Sequence, residues 1–439
     1  MDGRLPAKAG LFVFALMLSC AAPLHAAPLD PPPAAPASVP PVAPAPPAAP
    51  ATAAARAAET ADRVAENNAR AKAQIQKLKE QLEQRLHPTP DQRQQQFAEY
   101  QRTAPEREAR KRLQDAEPKL DGPELDVREA LYAQGRALIQ LQRRSDAVVV
   151  YRDYVAQRRR TPSGLWMSES FYLGVESALL ESVPKDEEAR RWDWLEKETS
   201  RWAREAPDSP LPRLLHAEML LGRAWEIRGT RYAAKTPAEV WKPFYAAIER
   251  TLKYLDRERA IASGAPEYYK LSLDAMRGSE NGGAPLAVLD QGERAFPGYY
   301  PMYFAMYTTL LPKWSGSVAQ IEAFAADAVR RTHASEGESM YARIYWFAAQ
   351  GAYSKTLFWR TYANWERMKE GFDDVVQRYP DQWNLHNYAR FACDAQDRET
   401  LTKLLPKLKI QGNMQMLESA WGSRKHFEEC GEMAGRVRL

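Results

Sequence analysis

The stretch GYYPMYFAMYTTLLPKWSGSVAQIEAFAADAVRRTHASEGESMYARIYWF, residues 298 to 347, decides the fold. Within 299–311 the residues Met302, Tyr303, Met306, Tyr307, Leu310 and Leu311 recur at steps of three and four, the period of one helix face. Pro312 ends that helix, because its ring removes a donor and restricts Leu311. Gly316 then offers a backbone position that takes a positive φ at low cost. Ser317 followed by Gln320 spells a capping box, in which each side chain bonds the other's backbone N–H. A second helix follows, with Val318, Ile321, Ala325 and Ala328 as its buried stripe and Arg330 and Arg331 in its last turn, where cations favour the dipole. A third starts near Glu338 and carries Met340, Ile344 and Phe347 on one side, with Tyr341 and Tyr345 on an adjacent stripe and Arg343 off both.

The same reading extends upstream and downstream. It predicts helices over about 124–142, 145–159, 165–182, 185–205, 211–228, 237–262, 266–277 and 285–295, and three or four more from Asn364 onward. The breaks carry turn chemistry, as at Thr161-Pro162-Ser163-Gly164, Pro207-Asp208-Ser209-Pro210 and Asn281-Gly282-Gly283. No strand-like alternation stands between them. Ala133-Gln134-Gly135 with 147–154 resembles a tetratricopeptide hairpin, but no strict 34-residue period runs through the chain. The fold class expected is all-α, an irregular α-α repeat (TPR-like) solenoid over 119–439.

What precedes it differs in kind. Residues 1–26 read as a signal peptide, with Arg4 and Lys8 ahead of the apolar run 11–18 and Leu24-His25-Ala26 as a cleavage site. A second reading makes Met17-Leu18-Ser19-Cys20 a lipobox with Cys20 acylated. Both place the chain outside the cytoplasm: periplasmic or secreted, or an outer-membrane lipoprotein. Residues 27–50 are almost entirely Pro and Ala, a disordered polyproline-II linker reaching about 70 Å at ~3.1 Å per residue. Residues 51–118 read as a long charged helix. Ala61, Val64, Asn68, Ala71, Ile75, Leu78 and Leu82 mark heptads over 51–86, and Asn68 at an a position favours an in-register homodimer. A lone charged helix is the alternative. His87-Pro88-Thr89-Pro90 breaks it, and 91–117 is a solvated helical connector.

Composition excludes more than it assigns. Sixty-one Lys and Arg against 57 Asp and Glu give +4, too small a bias for a nucleic-acid or acidic-membrane partner. Twelve Trp and twenty Tyr suit gap-filling between helices. Beyond Cys20 only Cys393 and Cys430 remain, an even pair that an oxidising compartment would join. Closing that loop is worth roughly 4 kcal/mol in the chain-entropy account. Two buried free thiols are the alternative. The histidines lack metal-ligand spacing, and no HExxH, Gly-x-Ser-x-Gly, phosphate loop or dinucleotide fingerprint occurs, so neither metal nor cofactor is expected. His216 reads as a satisfied core or surface residue, and Asp373-Asp374 as charges on different faces of a helix.

Leu311-Pro312-Lys313-Trp314-Ser315-Gly316-Ser317, Tyr341-Ala342-Arg343, Ala224-Trp225-Glu226-Ile227-Arg228-Gly229, Phe391-Ala392-Cys393 and Phe427-Glu428-Glu429-Cys430 resemble motifs of a bacterial family of exported helical proteins, domain of unknown function 4034. The resemblance covers 123 to 439 and implies a helical fold but no activity. Ser315 stands where a glycine is more typical of that family.

Two features are candidate sites. Trp314 and Arg343 would meet across the helix turn, the guanidinium stacked on the indole, with Lys313, Glu338 and Tyr341 nearby. This is either a brace or a ligand clamp. Phe358, Tyr362 and Trp365, with Trp359 beside them, form a stripe that at helical spacing belongs to a core sooner than to a binding platform. The expectation is a non-enzymatic scaffold that binds a protein or peptide partner on a concave surface in the cell envelope. The alternative is an envelope enzyme acting on peptidoglycan or another glycan, which needs two carboxylates facing each other in a cleft.

Overall fold

The computed structural model describes residue 66 and residues 69–70, 72–79, 89–102, 120–409 and 414–435. The leader, the Pro/Ala segment and Asn68 lie outside the described residues. The described residues between 66 and 102 and those from 120 onward belong to two separate units.

In the first unit, 72–79 is helical and leaves Ile75 and Leu78 more than half exposed in the single chain. A helix spans Pro90–Arg102. It opens on a reciprocal capping box, Thr89 N–H donating to Gln92 Oε1 at 2.9 Å and Gln92 N–H to Thr89 Oγ1 at 3.2 Å.

The second unit is built of helices α1 (Glu124–Gln140), α2 (Arg144–Gln157), α3 (Met167–Glu181), α4 (Arg191–Glu205), α5 (Pro210–Arg228) and α6 (Ala238–Ala262). There follow α7 (Glu267–Gly278), α8 (Pro285–Ala295), α9 (Tyr300–Thr309), α10 (Val318–Glu336), α11 (Ser339–Gln350) and α12 (Leu357–Arg360). The chain continues as α13 (Trp365–Arg378), α14 (Gln382–Asp394), α15 (Arg398–Leu404), α16 (Met414–Trp421) and α17 (Arg424–Met433). Among the described residues the only non-helical pairing is an isolated bridge between Arg160 and Trp166. The all-α fold of stacked helix pairs is thus as expected. None of these helices is long and apolar enough to cross a membrane.

Neighbouring helices pack in sequence order: α4 on α5, α5 on α6, α6 on α7, α10 on α11, α13 on α14. The closest crossing is α1 on α3. A Cβ at Gly174 would lie 2.1 Å from the Tyr132 carbonyl oxygen, and one at Gly135 2.4 Å from that of Phe171, so only glycine lets the backbones touch. The stack also closes on itself, since α14 touches α1. Glu267 of α7, buried, accepts hydrogen bonds from Tyr151 of α2 and from Ser168 of α3. Burial raises its pKa above the usual carboxylate range.

Several local readings are corrected. The segment 185–190 is a 3₁₀ turn, and α4 starts only at Arg191. Five helices follow Asn364, more than expected, because α15, α16 and α17 are short. The helix α10 runs past Arg330 and Arg331 to Glu336, and Arg331 instead binds Asp327, Asp290 and Glu293. At the 311–317 turn the positive φ falls on Ser315, at 69°, and not on Gly316. Gly316 is needed for space: a Cβ there would lie 2.0 Å from the Leu310 carbonyl oxygen. Ser317 caps α10 by accepting from Gln320 N–H at 3.2 Å, while its own hydroxyl donates to Gln320 Oε1.

Candidate functional site

The five residues singled out in the sequence go to three places. Trp314 sits in the 3₁₀ turn Pro312–Trp314, edge-on to Trp225 at 5.5 Å. Arg228 lies over the Trp314 ring at 5.4 Å and over Trp241 at 5.6 Å, and its Nη1 donates to the carbonyls of Gly229 and Arg231. Arg277 approaches from α7, 5.5 Å from Trp225 and 5.8 Å from Trp314, and donates to the buried Asp274 at 2.5 Å. Lys313 is exposed, its Nζ 5.9 Å from the same ring. The cations on Trp314 are therefore Arg228, Arg277 and Lys313.

Arg343 is elsewhere, which corrects the expected Trp314–Arg343 pair. It is 4% exposed, donates Nη2 to the Ser163 carbonyl at 2.9 Å, and stacks over Tyr300 at 4.3 Å. Ser163 belongs to the 161–164 break between α2 and α3. Its N–H donates to Glu124, its carbonyl also accepts from Asn384, and Arg160 beside it reaches Tyr300 and Glu336. Arg343 thus ties an N-terminal turn to α9 and α11. The groups that surround Trp314 come from α5 and α7 and not from α11, which carries Arg343.

Glu338 and Tyr341 do share a cluster. The Arg367 guanidinium lies 4.0 Å from the Tyr341 ring centre, 3.1 Å from Glu322 and 3.9 Å from Glu338. Tyr341 and Tyr345 both donate to Glu322, at 2.9 and 2.5 Å. Every group here is answered by a neighbour, as in a packing joint.

A fourth cluster was not legible in the sequence. Glu169 and Glu176 on α3, Glu218 on α5 and Lys270 on α7 are each half-buried, and the charge of Lys270 acts on all three acids. Burial, then the charge of Glu218, pushes Glu176 up to about 8. Burial pushes Glu169 up to about 7 and raises Glu218 as well. Burial opposes the charged forms of Lys270 and Asp274 too, but their own pair at 3.0 Å, with Arg277, outweighs it and keeps both ionised. The Tyr172 hydroxyl, buried among Glu218, Glu176 and Glu267, has no hydrogen-bond partner. The only signal for this cluster was the seven-residue spacing of Glu169 and Glu176, which puts both on one helix face.

His216 is satisfied as expected, its Nδ1 2.9 Å from the Thr199 hydroxyl and its ring 4.6 Å from Tyr254. It lines a depression of about 440 Å³ between α5 and α6 with Arg250, Lys253 and Arg257. Asp373 and Asp374 face different partners, Tyr388 and the Glu338 N–H. The 358–365 stripe departs from expectation. Phe358 and Trp365 pack edge-on at 6.3 Å, but Trp359 is 86% and Tyr362 44% exposed. The cause is local: α12 stops at Arg360, Thr361 is extended, and α13 restarts only where Asn364 caps Arg367 N–H. Cys393 and Cys430 are joined as a disulfide.

Compared with known proteins, the chain matches no protein-family model, no curated protein and no solved structure.

Proposed function

We propose that this chain is an exported, non-enzymatic helical-repeat scaffold that binds a protein or peptide partner in the cell envelope. One observation carries the reading: Trp359, 86% exposed on a four-residue helix, with Tyr362 close behind it in sequence. Large aromatic side chains held in water gain most from being covered, and Trp and Tyr carry a disproportionate share of interface energy. The enclosed state of Arg343 and Tyr341 supports it, because residues consumed in packing are not available to turn over a substrate. Kinship with the 4034 family is part of the proposal, supported by the meeting of two of its phrases, 224–229 and 311–317, at one joint. The test is a photo-reactive residue at position 359 of the full exported chain in its native envelope. One cross-linked envelope protein, lost when Tyr362 is changed to Ala, is expected. Absence of any product overturns the scaffold.

The Glu176 and Glu218 pair favours a second reading, an envelope enzyme acting on peptidoglycan or another glycan. A carboxyl that keeps its proton near neutral pH beside a second carboxylate is the acid–base arrangement glycoside cleavage uses. Release of soluble fragments from cell-wall glycan by the native chain, and not by a folded Glu176→Gln chain, would establish it.

A further inference from the structure

The disulfide between Cys393 on α14 and Cys430 on α17 has a neighbour that a plain cross-link does not need. His426, one helical turn before Cys430, places Nε2 3.9 Å and Nδ1 4.0 Å from Cys430 Sγ. Its Nε2–H donates to Asp394 Oδ1 at 2.9 Å, and Asp394 follows Cys393 directly in the chain. Asp394 is itself held by Arg390 Nε at 3.3 Å. The two sulfurs and a ring nitrogen of His426 all lie within 4.8 Å of one another.

Two cysteines and one histidine converging from two helices are a zinc donor set. The Asp394 bond is the second half of such a site. A carboxylate that accepts from one ring nitrogen fixes the tautomer and leaves the other nitrogen's lone pair for the metal. Here that nitrogen is Nδ1, on which the exposed Glu429 carboxylate also closes, at 4.0 Å. Cys393 and Cys430 are buried and His426 is half-exposed, so an ion would enter from the histidine side. With the two Cα atoms 5.7 Å apart, rotation about the Cα–Cβ bonds carries the sulfurs to the about 3.8 Å that two zinc–sulfur bonds of about 2.3 Å span.

We propose that Cys393, Cys430 and His426, oriented by Asp394, form a zinc site when the disulfide is reduced, so that α14 and α17 are joined either by sulfur–sulfur bonding or by the metal. The chemistry balances. A dithiol reductant gives two electrons and two protons to the sulfur–sulfur bond and is itself oxidised to a disulfide. Zinc then displaces the two thiol protons and binds two thiolates and one neutral imidazole, with water or Glu429 in the fourth position.

Cobalt(II) is the probe, added to the full chain before and after reduction by a phosphine. The oxidised chain takes up none at this site. The reduced chain takes up one equivalent, with thiolate-to-cobalt absorption in the near ultraviolet and tetrahedral bands in the visible, both removed by zinc. His426→Ala and Asp394→Asn each weaken uptake by about tenfold or more, and Cys393→Ser abolishes it. Uptake that is the same in the Cys393→Ser chain, or a six-coordinate spectrum, overturns the site. If reduction alone loosens α16 and α17, zinc restores the lost helical circular dichroism; a reduced chain that stays loosened with zinc present overturns the site equally.

Discussion

Two proline-bearing turns in this protein lie against guanidinium groups and aromatic rings, at 161–164 and at 311–317, and they are stabilised differently. At 161–164 the turn is buried, and Arg343 donates directly to the Ser163 carbonyl while stacking on Tyr300. At 311–317 the turn is half-exposed, and Arg228 and Arg277 lie over the Trp314 ring while their hydrogen bonds go to other groups. The first joint combines a charge-assisted hydrogen bond with enclosure, worth about 1.5–3 kcal/mol for the bond alone. The second rests on cation–ring attraction, about 0.5–2 kcal/mol. The motif richest in recognisable residues is therefore not the one that bears most of the fold. The quiet turn between α2 and α3 holds the two ends of the helix stack together.

The largest expected effect breaks that contrast at its strong end. Arg343→Ala removes the bond to Ser163 and empties space beside Tyr300 and Tyr379, and should lower unfolding free energy by about 3 kcal/mol. Arg343→Lys should recover little, because an ammonium neither forks nor stacks like a guanidinium. Urea denaturation of both variants is the measurement, and a loss no larger than that of Arg228→Ala would reverse the ranking of the joints. Next comes Gly316→Ala. The added methyl meets the Leu310 backbone, which cannot swing aside, so about 2 kcal/mol should be lost at the weaker joint for a reason unrelated to its aromatic rings.

The difference between the joints also marks how far the sequence could be read. Apart from the start of α4, the bounds of α1 to α8 follow from apolar period and punctuation, because each is set within its own segment; Pro285 and Gly298, for example, bracket α8 and its exit. Ser163 was visible only as a turn, since its partners Arg343 and Asn384 are 180 and 221 residues away and nothing local announces them. Trp314 does lie beneath guanidinium groups, but those of Arg228 and Arg277 and not that of Arg343. The Ala224–Gly229 phrase, which shares the same family resemblance, was the available pointer to Arg228. The acids of α3, α5 and α7 each look like solvated charge in one dimension, and only helix stacking brings Glu218 beside Glu176.

Asp274 links the weaker joint to those acids, since it pairs with both Arg277 and Lys270. A pH dependence should therefore appear on that side of the comparison. Glu176 is raised from an ordinary 4.5 to about 8, so the folded chain keeps a proton there that the unfolded chain has lost. The corresponding stability is complete below about pH 4.5 and disappears as pH rises through about 8. Solvent screening of a half-buried group limits the effect to about 1 kcal/mol. Urea midpoints measured at pH 5 and pH 9 should differ in that direction, and Glu176→Gln should flatten the difference. A native chain equally stable at both values would remove Glu176 from the account.

The smallest effect has the opposite sign and isolates backbone from side chain at the 311–317 turn. Ser315 takes φ 69° and ψ 13°, a left-handed conformation in which a Cβ crowds the following carbonyl. Glycine adopts it without that crowding, though the unfolded chain gains some freedom in return. The net should favour Ser315→Gly by about 0.5–1 kcal/mol, raising the melting temperature by a degree or two. The serine side chain is exposed, so no packing is lost in the exchange. If Ser315→Gly instead destabilises, the serine hydroxyl must be making a contact that outweighs the strain, and the backbone at 315 would add nothing to what the Trp314 ring and the fit of Gly316 against Leu310 supply.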